Sequence, residues 1–507
     1  MSGSERSPSL AKNTLFNVVD TGVRHSLALV LSPILFWSLG AETYGLWSVI
    51  WAFSGSLGLV DLRVNAAMTP LVATAHSEGN TTRVIRLVNN GLMFYGAVGG
   101  LIFCASYGVL QIQALQQLIP ETIRQDAGFA VPAAAAVFSL STLLTMSNGI
   151  LHGLQRYDIT ATIKMSLGAL RALLLISVAL LGGGLQELVV VEVAVSIALF
   201  CWSWISVMRF VPGYRLSLTP EKVLLRELLS FGSRLQVGHV THLIALHFDK
   251  LILSALLGLQ AVAFYDLGAK IVGIARTLPP LLVSATMPVA SALHAAGKKQ
   301  ELWTFFREGT QGLAWLGLPL FLWVSISAES LLISWAGVAT MESQSTLWLL
   351  SVGFFVKAYS EMGYLVIVGI GRPDVEMKRS LIAAAVNVVL STGLIKLMGF
   401  AGAPLGTSLA LCVGAGVLFV ALVRHFGRSF GEVISPLFLP LLTGIPAGAA
   451  AYAIMQLAPA SRYGAIPYLA GAAVAIGLIY LASGWATGVF RGNSFLDLRR
   501  RGKHSRN

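Results

Sequence analysis

The segment "HFDKLILSALLGLQAVAFYDLGAKI", from His247 to Ile271, sets Asp249, Lys250, Asp266 and Lys270 among residues suited to hydrocarbon. Further ionisable side chains recur inside apolar stretches: Asp20, Arg24, Asp61, Arg63, Arg171, Glu192, Arg234, Arg276, Lys357 and Glu361. An ionisable group near the bilayer centre costs at least about 2.5 to 3.5 kcal/mol, so such groups face a protein interior or a wet cavity. Their chemistry is charge compensation. Arg offers a planar fork and Lys a point charge to an anion, while acids set the charge of neighbouring cations or take up a coupling ion. Bond-making chemistry has no support: the loop acids Glu121, Asp126, Glu329 and Glu342 are scattered, no metal-ligand spacing occurs, and a phosphate-binding Gly-Lys-Ser/Thr loop is absent. No cofactor or metal is expected, and the chain does not read as an enzyme.

Helical periodicity gathers these groups into faces. At about 100° per residue, Asn13, Asn17, Asp20 and Arg24 form one stripe, and Arg234, Gly238, Thr241, His242 and Asp249 another. Asp266, Lys270, Gly273, Thr277 and Ser284 form a third, with Arg276 to one side. Asp20/Arg24, Asp266/Lys270 and Lys357/Glu361 stand four apart, the spacing at which side chains pair on a helix. Arg24, Lys270 and Arg276 lie deepest and are assigned to a cavity lining, with Arg234 beside them. Asp20, Asp249 and Asp266 set the charge or bind a coupling ion, and His242 is a proton-relay candidate. Asp61 and Arg63 fit either a gate or simple capping, and Lys357/Glu361 either a packing ion pair or a site. Arg171 and Arg234 could also snorkel toward the cytoplasmic end.

The elements that position these residues are membrane spans. Of the 507 residues, 55% are hydrophobic and 11% charged, far from the balance of a soluble domain. Apolar runs near the roughly 20 residues needed to cross a bilayer predict about fourteen helices, over 13–38, 44–70, 84–110, 126–152, 159–181, 186–208, 228–256, 261–292, 303–328, 345–369, 378–398, 402–425, 434–457 and 466–489. The first run is too long and too charged for a cleaved signal peptide, so the first helix is expected to stay. Cys104, Cys201 and Cys412 stand alone and are expected to be small packing residues.

Of the 35 Lys and Arg, only Arg124, Lys396 and Arg462 fall in loops on the side opposite the N-terminus. By the positive-inside rule both termini are cytoplasmic. The net charge of +12 follows from this bias and from the tail "RRRGKHSR", which would rest on anionic phospholipid headgroups. A nucleic-acid partner is not needed to explain it.

The chain repeats itself. "HSEGNTTRVIRLVNNG" (76–91) meets "HAAGKKQELWTFFREG" (294–309) at a shift of 218 residues, Gly40 meets Gly258 at the same shift, and "GLQRYD" (153–158) meets "GIGRPD" (369–374) at 216. Six spans per copy make the copies parallel. The expected fold is therefore all-α, with two parallel six-helix bundles around a central cavity and two extra C-terminal helices. The organisation reads as a cytoplasmic tail (1–12), an N-terminal bundle (13–210), a linker (211–227), a C-terminal bundle (228–428), the extra helices (429–490) and a basic cytoplasmic tail (491–507). The linker, with Thr219 as cap and Pro220 at the first helical position, is either an interfacial helix or an extension of the seventh span.

"SLGAETYGLWSVIWAFSGSLGLVDL" (38–62) and "DKLILSALLGLQAVAFYDLGAKIVGIARTLPPLLVSATMP" (249–288) resemble the polysaccharide transport family of lipid-linked oligosaccharide flippases. The likeness covers most of the first twelve spans. It is carried by Gly40, Tyr44, Gly45, Asp61, Asp249, Tyr265, Lys270 and Pro288, and departs at Arg63 and at Val262-Ala263, where that family often has glycine. The resemblance implies two bundles around a cavity and an alternating-access path for a polyprenyl-pyrophosphate-linked oligosaccharide, used in exopolysaccharide, O-antigen or capsule synthesis. It also implies a bacterial cytoplasmic membrane and partners among polysaccharide polymerase or export proteins. A multidrug/cation antiporter of the same superfamily would want a cavity of acids and aromatics, against the slight cationic excess here. A non-transporting scaffold for glycan assembly would leave the charged stripes unexplained.

Overall fold

The computed structural model describes residues 10–56, 64–110, 121, 124–217, 219–283 and 286–488; the side chains of 10–25, 54–56, 65–66, 109–110, 231–240, 242–246 and 280–282 are outside the description. The described residues are nearly all helical, with no strand among them. In order the helices are α1 (Leu10–Ser56), α2 (Val64–Ser77), α3 (Thr81–Leu110), α4 (Arg124–Gly153), α5 (Tyr157–Leu180), α6 (Leu185–Phe210), α7 (Lys222–Leu257), α8 (Leu259–Ala275), α9 (Leu278–Val283), α10 (Met287–Ala295), α11 (Lys299–Ile326), α12 (Ala328–Ala336), α13 (Met341–Gly369), α14 (Pro373–Met398), α15 (Gly402–Phe426), α16 (Phe430–Gln456) and α17 (Ile466–Ala486). Among the described residues, each expected span falls mainly on helix. Among the described residues, ten stretches are long and apolar enough to cross a membrane, one of them α14 and α15 read together.

Helices break where the sequence forbids a straight run: at the expected turn between the first two spans, and within the expected span 261–292. α1 bends at Gly40, whose φ of 76° and ψ of 167° divide it into two helices. The expected span 261–292 is three pieces, because Pro279 and Pro280 lack the N–H a continuing helix needs. Before them α8 closes with Arg276 N–H donating to Val272 O at 2.9 Å and Thr277 N–H to Ile274 O at 3.0 Å. Pro288 then sits in the first turn of α10, where no donor is missed.

The chain divides into two compact units, Met1–Ala263 and Phe264–Asn507. The division follows α7, rather than the linker before it, because α7 is fastened to its own unit. Lys250 Nζ donates to Ser48 Oγ at 3.1 Å, Arg83 pairs with Glu227 at 3.0 Å, and Arg86 pairs with Glu221. The linker itself is non-helical over 211–217 and 219–221. The helix starts at Lys222, later than the expected Thr219 cap, and runs on as α7. Asn90 takes up the role of the missing cap: its Oδ1 accepts from Glu221 N–H at 2.8 Å, while Tyr214 Oη donates to Asn89 Oδ1 at 2.9 Å.

Each unit contains the same packing motif. In the first, Val72, Val84, Val88, Tyr95, Met146, Ile150 and Leu154 build the core; in the second, Ala290, Leu302, Phe306, Leu313, Met362, Val366 and Ile370 occupy matching positions. A Cβ on Gly91 would lie 2.8 Å from Met146 Sδ, and one on Gly309 would lie 2.8 Å from Met362 Sδ. Gly153 abuts Val72 and Thr69 O, as Gly369 abuts Ala290 and Met287 O. Lipid tails are as apolar as these side chains, so close approach at small residues, rather than exclusion of water, holds such helices together. Leu173, Leu181, Val190, Ile445 and Leu478, all exposed, supply outward apolar surface. Cys104 and Cys201 are exposed as well, not packed as expected; Cys412 is partly buried.

The C-terminal pair α16 and α17 packs on α11 through Trp315, Ala447, Ala451, Ala472, Ile476 and Tyr480. Trp323 Nε1 donates to Leu469 O at 3.0 Å, and Tyr480 Oη donates to Pro440 O at 2.9 Å.

Candidate functional site

The best-defined charged set lies within the second unit, on α8, α13 and α14. α8 carries Asp266 and Lys270 one turn apart, and they form an ion pair at 2.7 Å with side-chain exposures of 3% and 32%. Between them Gly268 brings α8 against the start of α13, where a Cβ would lie 2.6 Å from Ser343 O. Asp266 is thereby buried together with its counter-charge, which makes the burial tolerable.

At the end of α8 the guanidinium of Arg276 stands 5.1 Å from the centroid of the Phe354 ring on α13. Lys357 and Glu361 follow Phe354 along the same helix, and Tyr364 completes a face about 80° wide. From the Tyr364 edge of this face round to the opposite side, α13 is closed by packing. Ser408 Oγ on α15 donates to Leu349 O at 2.5 Å, a Cβ on Gly353 would lie 2.6 Å from Ser408 Cα, and Gly363 meets Leu422 and Phe306. Phe354, Lys357, Glu361 and Tyr364 are all half-buried.

Lys357 and Glu361 do not close within the 4.0 Å of an ion pair, unlike Asp266 and Lys270 at the same spacing. Lys357 lies within electrostatic reach of Arg276, Glu361, Arg379 and Glu376. Of the acids, Glu376 is committed to Arg379 through two hydrogen bonds of 2.6 Å and accepts a third from Ser380 at 2.9 Å. Among the described residues, Arg276 and Lys357 thus share a patch in which Glu361 is the acid left to offset them.

The cations are private to the second copy. At the repeat shifts, Asp266 and Lys270 correspond to Ser48 and Ala52, Arg276 to Gly58, and Lys357 and Glu361 to Ser141 and Thr145, while Phe354 corresponds to Phe138. The first unit has its own pair, in which Arg171 Nε donates to Glu192 Oε2 at 2.7 Å and Glu192 is buried. Arg171 therefore joins α5 to α6 rather than snorkelling. The matching positions Asn387 and Ser408 carry no charge, and there Asn387 Nδ2 donates to Thr407 Oγ1 at 2.7 Å.

Asp249 is buried in the first unit, next to Lys250 with its Ser48 contact. Asp61 and Arg63, and the side chains of Asp20, Arg24, Arg234 and His242, lie outside the described residues. Several residues that carried the resemblance are packing devices: Tyr44 is fully buried, and a Cβ on Gly45 would stand 1.9 Å from Leu259 O. Among the described residues no group of three or more His, Cys, Asp or Glu could hold a metal. Phe354, Glu376 and Arg379 were not singled out by sequence. Phe354 has no local signal of its role, whereas the three-residue spacing of Glu376 and Arg379 on a helix was visible.

Fold and charge together describe an all-helical, multi-pass membrane protein made of a duplicated bundle. Residues 10–294 match the profile of the family described as "Polysaccharide biosynthesis protein", and the chain belongs to that family. A protein of Shigella flexneri described as a "Putative O-antigen transporter" is 21% identical over 383 residues, 72% of this chain and 86% of that one. An uncharacterized membrane protein of Methanocaldococcus jannaschii is 25% identical over 228 residues; the match spans 42% of the length of each. Among solved structures, the inward closed form of the lipid II flippase MurJ superposes with a TM-score of 0.72 at 12% identity, covering 94% of this chain and 98% of that one. An inward-facing multidrug resistance MATE family transporter of the MOP superfamily gives 0.68 at 16% identity, over 81% and 98%. At such identities these likenesses speak for the fold.

Proposed function

We propose that the protein moves a polyprenyl-pyrophosphate-linked oligosaccharide repeat unit across a bacterial cytoplasmic membrane by alternating access, for exopolysaccharide, O-antigen or capsule synthesis. Arg276 and Lys357 carry the reading: two cations on adjoining helices of a polysaccharide biosynthesis family member, with Glu361 the one uncommitted acid beside them among the described residues. A pyrophosphate crossing hydrocarbon needs fixed counter-charge. Arg276 meets phosphate oxygens with a fork and Lys357 with a point charge. The Asp266–Lys270 pair is internally neutral and contributes polarity more than charge. Arg24 and Arg234 extend the cationic path, Asp20, Asp249 and His242 set charge or couple to an ion, and Asp61 and Arg63 gate or cap. Both termini lie in the cytoplasm, and polymerase or export proteins receive the product. The role is transport, and no bond is made or broken.

The test is deletion of the gene followed by leaflet-resolved measurement of lipid-linked oligosaccharide. Accumulation on the cytoplasmic leaflet, reversed by the wild-type chain, is the expected result. Unchanged lipid-linked glycan together with new sensitivity to cationic dyes would replace this reading with a drug antiporter.

A further inference from the structure

We infer that the second unit carries a separate phosphate-binding site at the end of its bundle, formed by His294, Lys299, Arg372 and His425. The four residues come from four segments: α10, the first residue of α11, the turn between α13 and α14, and the last turn of α15. The two imidazole rings have centroids 6.3 Å apart, and the ionisable groups within electrostatic reach of His425 are Lys299, His294 and Arg372, all cationic or able to become so. His294, Lys299 and Arg372 are exposed and His425 is half-exposed.

The nearby acids are already engaged. Glu301 is 3.0 Å from Lys298 and Glu432 is 3.6 Å from Arg428, while Asp374 takes one Nη2 contact from Arg372 at 3.3 Å and offsets part of its charge; among the described residues the other guanidinium N–H groups of Arg372 have no partner. Among the described residues Lys299, His294 and His425 have no acidic partner, so the charge gathered here is left for an anion. Its position at the helix ends, on the side read as cytoplasmic, is the level at which phosphate groups lie. Arg372 follows Lys357 by fifteen residues, about 20 Å along α13, so this site is distinct from the Arg276–Lys357 patch and does not depend on its role. A phosphate monoanion or pyrophosphate fits two charge-assisted contacts from Lys299 and Arg372 with the imidazoles beside them.

The full-length protein in phosphatidylcholine nanodiscs, titrated with labelled inorganic pyrophosphate, tests this. Saturable binding is expected, weakened about tenfold or more in the Lys299→Gln/Arg372→Gln double variant, and unchanged in Lys396→Gln at the far end of α14. Matching thermal midpoints for the variants exclude misfolding. If binding persists in nanodiscs containing phosphatidylglycerol, the site takes a free phosphate; if it is displaced there, the site takes a lipid headgroup. Absence of saturable binding in phosphatidylcholine, or equal binding by the double variant, overturns the inference.

Discussion

Gly40 and Gly258, 218 residues apart, hold the same backbone conformation: φ 76° and ψ 167° at Gly40, φ 87° and ψ 177° at Gly258. Positive φ with extended ψ is open to glycine and strained for any residue with a Cβ, by about 1–3 kcal/mol. Neither site is crowded, since a Cβ would meet nothing within 4 Å. Gly40→Ala and Gly258→Ala should therefore each lower the thermal midpoint in detergent, by similar amounts, through backbone strain alone. Gly96→Ala, also in open space but with ordinary helical geometry, should leave it unchanged or raise it.

Arg171 and Glu192 tie α5 to α6 by a forked contact to a buried carboxylate. Removing one partner strands the other, whereas removing both strands neither. In a double-mutant cycle, Arg171→Met and Glu192→Met should each destabilise more than their combination implies. The expected coupling is about 0.5–3 kcal/mol. Additive effects on the unfolding midpoint would show that the pair contributes nothing as a pair.

Export should depend on Arg276 and Lys357 far more than on Lys270. Charge reversal at Arg276, or Lys357→Glu, should abolish lipid-linked oligosaccharide export in a complementation assay while membrane insertion, followed by immunoblot, stays normal. Lys270→Gln alone removes the ion pair that offsets the charge of the buried Asp266 carboxylate, and should lower export in part. Adding Asp266→Asn should restore much of the lost export. Normal export in both reversal variants would remove Arg276 and Lys357 from the path.

The strap from the linker to α3 should loosen in acid. Hydrogen bonding to Arg86 holds the Glu221 carboxyl below the usual carboxylate range. A depressed value means that the contact's contribution is present above the ordinary range and is lost as pH falls through the lowered one. Protection factors for amide exchange over 211–217 and 219–221, which correct for the slower intrinsic exchange in acid, should therefore hold from neutral pH downward and drop only on strong acidification. Glu221→Gln should already exchange quickly at neutral pH.

Much of the architecture could be read directly from residue order, because the physics of a bilayer is one-dimensional: an apolar run of sufficient length has few alternatives to a helix. The duplication was equally readable, since Gly79 and Gly297 both take φ 68° at the turns where the repeat was noticed. Contacts between distant segments were hidden. Nothing near Arg276 in sequence points to Phe354, and nothing near Arg171 points to Glu192, 21 residues on. The Lys357/Glu361 spacing allowed a pair that the side chains do not make, because spacing on a helix permits proximity without requiring it. The start of α7 shifted because Asn90, from another helix, supplied the cap that Thr219 was expected to give.

The confinement of Arg276 and Lys357 to one copy bears on how such a chain evolves. In an assembly of two identical subunits every substitution is imposed twice, and a lysine gained at one position is gained in both. Joining the copies end to end lifts that constraint: Ser141 and Lys357, at equivalent positions of the repeat, are free to differ while Gly91–Met146 and Gly309–Met362 keep the shared scaffold.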